Sequence, residues 1–168
     1  MKKLIALSAI FFAVVLTSNV YAQNTATASA NATARVMTPI TIAAETNGLQ
    51  FGTFSSSNAA GTVSIAATEA GTRSATGGVT LSSVLGTSGS AQYTVTGETG
   101  ALFSVTLPSS IVIKSGANEM EVYDFSSNAT TTLTGGTQTF YVGATIQVDA
   151  AQPTGDYTGT YNVTVTYN

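Results

Sequence analysis

From position 40 to the end of the chain, apolar and polar residues alternate in short runs with a period of two rather than 3.6. Ile40-Thr41-Ile42, Thr62-Val63-Ser64-Ile65, Tyr93-Thr94-Val95-Thr96, Phe103-Ser104-Val105-Thr106-Leu107 and Ile111-Val112-Ile113 are β-branched or aromatic runs bounded by Gly, Pro, Asn or Ser. Met120, Val122 and Phe125 predict a further strand. Two longer ones follow, with Phe140, Val142, Ala144, Ile146 and Val148 on one face of the first. Tyr157, Gly159, Tyr161, Val163, Val165 and Tyr167 share a face of the second. Gly97-Glu98-Thr99-Gly100 reads as a hairpin turn, Pro108-Ser109-Ser110 as a link, and residues 55–61 as a polar loop. No window of the mature chain keeps an apolar stripe at helical spacing, so helix is expected to be at most a turn.

Strands about ten residues apart with turn residues between them predict an all-β, two-sheet antiparallel sandwich of about eight or nine strands. Leu49, Phe51, Phe54, Phe103 and Phe140 are the expected core members.

The N-terminus follows different rules. Met1-Lys2-Lys3 is a basic start, residues 4–16 are apolar apart from Ser8, and Val20-Tyr21-Ala22 places small residues where signal peptidase acts. The reading is a signal peptide over residues 1–22, cleaved between Ala22 and Gln23, and hence a secreted, periplasmic or cell-surface protein. Residues 23–34 alternate Ala with Thr, Ser or Asn. On an extended strand Ala26, Ala28, Ala30, Ala32 and Ala34 would share one face, and the competing reading is a flexible tail. The sandwich domain is expected over residues 35–168.

Composition narrows the chemistry. The chain has no Cys, no His and no Trp, and only 8% of its residues are charged, against about 25% in an average soluble protein. No thiol nucleophile, imidazole base, disulfide or ordinary zinc or haem site can be built from it, so no catalytic, cofactor-binding or metal residue is assigned. After cleavage three cations (Arg35, Arg73 and Lys114) face eight acids. That balance gives no nucleic-acid footprint and no electrostatic hold on anionic lipid, so neither nucleic acid nor membrane is an expected partner.

Lys114 stands near Asn118 and Glu119, the ingredients of an intramolecular isopeptide bond, and beside Ser115, a formal Ser–Lys pair. Either chemistry needs a buried lysine, and a loop after Ile113 predicts an exposed one. Glu119, Glu121 and Asp124 form an acidic cluster without calcium-loop spacing, and are expected on a solvated strand. The sequons at Asn31, Asn128 and Asn162 are taken as chance matches in a Thr- and Asn-rich chain.

Gly155, the Tyr161-Val163-Val165 row and the penultimate Tyr167 resemble the C-terminal strand of chaperone–usher pilins, and Leu49-Gln50-Phe51-Gly52 resembles a short pilin-type strand. Over the mature chain the arrangement is most similar to the secreted bacterial family called domain of unknown function 4402, in the style of spore coat protein U. The resemblance implies an immunoglobulin-like or pilin-like fold and assembly by β-strand addition, in which Gly155, Tyr157, Tyr161, Val163, Val165 and Tyr167 form the assembly strand. It also implies homo-oligomeric, fimbrial-type partners and a periplasmic chaperone. The Ala-only extension and the lack of a Cys pair depart from the pilin pattern.

Two functions are expected from these readings: a non-catalytic structural or adhesive surface subunit, and alternatively a monomeric extracellular or periplasmic glycan-binding module.

Overall fold

Strand β10 (Thr137–Val148) organises the fold, because both of its edges are used. Every second residue along it, from Phe140 through Val142, Ala144 and Ile146 to Val148, is buried, while Thr139, Tyr141, Thr145 and Gln147 point the other way. On one edge its first half pairs with β6 (Ala91–Thr96), and its second half pairs with β3 (Phe54–Ile65). On the opposite edge Val142 to Ile146 pair with β9 (Asn118–Ser127). All of these pairings are antiparallel. Beyond them lie β1 (Thr41–Ala44) on β6, β4 (Arg73–Leu81) on β3, and β8 (Ser110–Ser115) on β9, completing a seven-stranded sheet.

Two short pairs supplement that sheet: β2 (Gln50–Phe51) with β5 (Ser88–Gly89), and β7 (Phe103–Thr106) with β11 (Thr164–Tyr167). Among the described residues the single helical turn is a 3-10 turn at Thr134–Gly136. The result is an all-β sandwich of curled antiparallel sheets. The computed structural model describes residues 25–45 and 47–168, of which 36–168 form one compact unit. The expected signal segment, with its Ala22–Gln23 junction, lies outside the described residues. Residues 25–35 carry no regular secondary structure, and all are exposed.

The core has two parts. Val63, Val79, Met120, Val122, Ala144, Ile146 and Val148 fill the space under the second half of β10. Ala91, Tyr93, Val95, Phe103, Leu133, Phe140 and Val142 fill that under the first, where Tyr93 and Phe140 stack with ring centres 5.5 Å apart. Phe103 comes from β7, so the β7–β11 pair closes this part of the sandwich. No charged side chain is buried among the described residues. Leu49, Phe51 and Phe54 pack against the core half-buried, whereas Phe103 and Phe140 are fully inside. Gly143 is needed where β3 leaves the β10 edge, because a Cβ there would come within 2.2 Å of the Ile65 carbonyl oxygen.

Three expectations are corrected, and one strand is found that the pattern does not predict. Residues 55–61 belong to β3: Ser and Ala give no apolar signal, but pairing with β4 and the bond from the Ala151 N–H to the Ser57 carbonyl (2.7 Å) hold them extended. Strand β4 itself was hidden by Gly77-Gly78, which a central strand ordinarily avoids. Gly97–Gly100 is no hairpin, since β6 and β7 belong to different sheets and the turn carries the chain between them. Lys114 lies within β8 and not in a loop after it.

The layer assignment is testable. Phe140→Ala is expected to cost about 3–5 kcal/mol, read as a lower urea midpoint. Thr139→Ala, on the outer face one residue away, is expected to cost less than about 1 kcal/mol; equal losses would contradict the assignment.

Candidate functional site

The residues expected to form an assembly strand do not form one continuous ladder. Only Thr164–Tyr167 pair, with β7, from Thr164 opposite Thr106 to Tyr167 opposite Phe103. Upstream, Thr158 makes an isolated bridge with Lys114, and Gly155 lies in no strand. Between these contacts, residues 159–163 have no backbone pairing among the described residues. Gly159 sets the close approach here: a Cβ would lie 3.1 Å from the Val112 carbonyl oxygen and 2.7 Å from Ile113 Cγ2. The side chains still alternate as the sequence predicts, with Tyr157, Tyr161, Val163, Val165 and Tyr167 half-buried and their neighbours exposed. Tyr161, Val163, Val165 and Tyr167 pack on the Phe103–Phe140 part of the core, and the Tyr161 ring meets Phe125 at 5.1 Å. β7 is the only strand that pairs with β11 among the described residues, and β1 also approaches β11 without pairing with it.

Hydroxyl groups fix the two ends of this segment. The Tyr167 hydroxyl donates to the Thr38 carbonyl (2.8 Å) and accepts from the Glu98 N–H (2.6 Å), while the Thr38 N–H donates to Glu98 Oε2 (3.0 Å). At the other end the Tyr157 hydroxyl donates to the Pro153 carbonyl and accepts from Gln152 Nε2, which also donates to the Glu119 carbonyl. Tyr161 has no such partner. Its hydroxyl is buried without a hydrogen bond of normal geometry. Burial first, and then the nearby Tyr93 hydroxyl, push its pKa well above the ordinary tyrosine range.

A second feature lies at the end of the main sheet's outer face. Gln92 of β6 and Tyr141 of β10 stand directly opposite each other, and the Glu45 N–H bonds to the Gln92 carbonyl (3.0 Å), extending the β1–β6 pairing. The β3–β4 turn carries Glu69 to the same place and is held there by Ser90 Oγ, which donates to the Thr68 carbonyl (2.6 Å). Gly71, at φ +52°, lets that turn close: a Cβ would lie 2.4 Å from the Ser90 nitrogen. Glu45, Asn47, Glu69, Ser90, Gln92 and Tyr141 together line an open hollow of about 320 Å³.

Residues 40–167 match the family described as domain of unknown function (DUF4402). The chain belongs to this family. No curated protein and no solved structure matches it.

The remaining polar candidates in this DUF4402 chain are surface features. Lys114 stands opposite Glu119 in the β8–β9 ladder and forms an ion pair with it, both side chains being more than half exposed. That exposure removes the desolvation on which the isopeptide and Ser–Lys chemistries depend. Glu119 and Glu121 share the solvent face of β9, and Asp124 occupies the bulge against β10 at φ +50°. Arg73 is held by the carbonyls of Phe51, Thr53 and Ser82 at 2.7–3.0 Å. Sequence reasoning missed the hollow, because its residues come from separate, weakly patterned segments. Asn128 Oδ1 accepts from the Tyr141 N–H (2.7 Å), a structural use of that side chain.

Two outcomes follow from the tyrosines. Tyr167→Phe removes both hydroxyl bonds and leaves the Glu98 N–H without its acceptor, so a loss of about 1–3 kcal/mol is expected in urea unfolding. Tyr161 is protonated in both folded and unfolded chains below pH 10, so it gives stability no pH slope there. Above that, the unfolded chain loses the proton first, and stability is expected to fall as pH rises. Tyr161→Phe should flatten this alkaline slope relative to wild type.

Proposed function

We propose that this protein is a non-catalytic, exported structural or adhesive subunit that assembles at the cell surface by β-strand complementation. The segment leading into β11 carries the reading: residues 159–163 have no backbone pairing among the described residues, while Tyr161, Val163, Val165 and Tyr167 remain seated on the core. An unpaired edge of this kind is a template for an added strand, in which main-chain hydrogen bonds give affinity and alternate side chains give register.

The extension of another copy is the fitting donor. It keeps a period of two from Ala26 to Ala34, and Val36, 95% exposed, continues the same face. Phe103, Leu133 and Phe140 already fill the core on which this edge rests, so the donor needs only small side chains. Signal-directed export and the shortage of charge agree with a surface assembly.

Light scattering after size-exclusion chromatography tests this on three chains: one starting at Gln23, one starting at Arg35, and the long form with Ala28→Glu and Ala30→Glu. Oligomers are expected for the first and monomers for the other two. If all three are monomers of equal stability, strand complementation fails. The second reading, a monomeric glycan-binding module, then takes its place, favoured by the polar hollow beside Gln92 and Tyr141.

A further inference from the structure

We infer that the hollow at the end of the main sheet is a saccharide-binding site that takes a neutral sugar through its vicinal hydroxyl groups. The inference rests on this hollow alone and holds whether the protein is an assembled subunit or a monomer.

Four separate parts of the chain build the wall. Glu45 and Asn47 follow β1, Gln92 stands on the outer face of β6 and Tyr141 on that of β10, and Glu69 comes from the β3–β4 turn. Ser90 belongs to the wall and also fixes it, through the bond to the Thr68 carbonyl, so the turn is braced. Among the described residues, the side chains of Glu45, Glu69, Asn47, Gln92 and Tyr141 are engaged by no other side chain or backbone group. Their hydrogen-bonding capacity faces the opening.

The groups present select the ligand. No Lys or Arg lines the hollow, and two of the chain's cations are committed elsewhere, Arg73 to three carbonyls and Lys114 to Glu119. An anionic ligand would therefore meet two carboxylates without a counter-charge. The lining is mostly polar, so a lipid or an apolar peptide would lose its own driving force for burial. Carboxylates accept only, as does the Ser90 hydroxyl once its proton is given to the Thr68 carbonyl, whereas the two amides and the phenol both donate and accept. A ring bearing adjacent hydroxyls matches this mixture, donating to Glu45 and Glu69 and both donating to and accepting from Gln92 and Asn47. An ammonium compound would satisfy the carboxylates but leave the amide donors unused. The volume is at the small end of ligand sites, which run to about 1,000 Å³.

The outer face continues the same chemistry beyond the hollow. Thr94 lies opposite Thr139, and Thr96 opposite both Thr41 and Thr137, a strip of hydroxyls without charge leading away from Gln92 and Tyr141. A longer glycan has a polar surface on which to lie.

Saturation-transfer NMR on the full mature chain tests this with methyl β-glucoside, methyl β-galactoside and methyl α-mannoside, and with spermidine as a probe of charge alone. At least one glycoside is expected to bind with a Kd on the order of 1 mM. Gln92→Ala and Glu69→Ala are each expected to weaken that binding about tenfold, while Glu121→Ala on β9 leaves it unchanged. Circular dichroism confirms that each variant folds, as these side chains stand on the surface. The inference is overturned if no glycoside binds, if binding survives both substitutions, or if spermidine alone binds and is displaced by salt.

Discussion

Everything in this fold leans on the double use of β10. Over Val142 to Ile146 the strand is flanked on both sides, and along its whole length the inward row from Phe140 to Val148 is apolar. Because β6 and β3 share one edge in succession, the same strand serves both parts of the core, and Gly143 marks the point where one neighbour gives way to the next. The peripheral strands β1, β4 and β8 each rest on a strand that β10 holds, so disturbance at β10 propagates to all of them.

The candidate features sit where that organisation runs out. β11 pairs with β7 alone among the described residues because the sandwich's second layer is small: the β7–β11 pair brings Phe103 against Phe140. The hollow forms where β1 ends and β6 begins beside the middle of β10, with the β3–β4 turn beside them. Neither needs a residue to bear strain or an unusual charge, which suits a chain that contains no imidazole and no thiol.

Much of the sandwich was legible because burial on one face imposes a period of two, and β1, β6, β8, β9 and β10 carry it in Ile, Val, Tyr and Phe. The strands that escaped are those in which tertiary pairing overrides a silent sequence. Ser55 to Ala60 have no apolar side chain to report, and Gly77 and Gly78 are there because Ala59 and Ala60 approach too closely for a Cβ. Conversely, the alternation from Tyr157 to Tyr167 was read correctly as an inward row but overstated as a ladder, since side-chain period reports burial and not hydrogen bonding. The hollow was invisible for a different reason: Glu45, Glu69 and Gln92 are far apart in the chain and meet only through strand pairing.

The Tyr167 hydroxyl joins the chain's last strand to Thr38, just ahead of β1, with Glu98 closing the triangle. Mechanically this makes a clamp across the point at which the domain receives its N-terminal arm. Tension entering the domain ahead of β1 meets these bonds at Thr38 and is shared with β11 before it reaches the β1–β6 ladder.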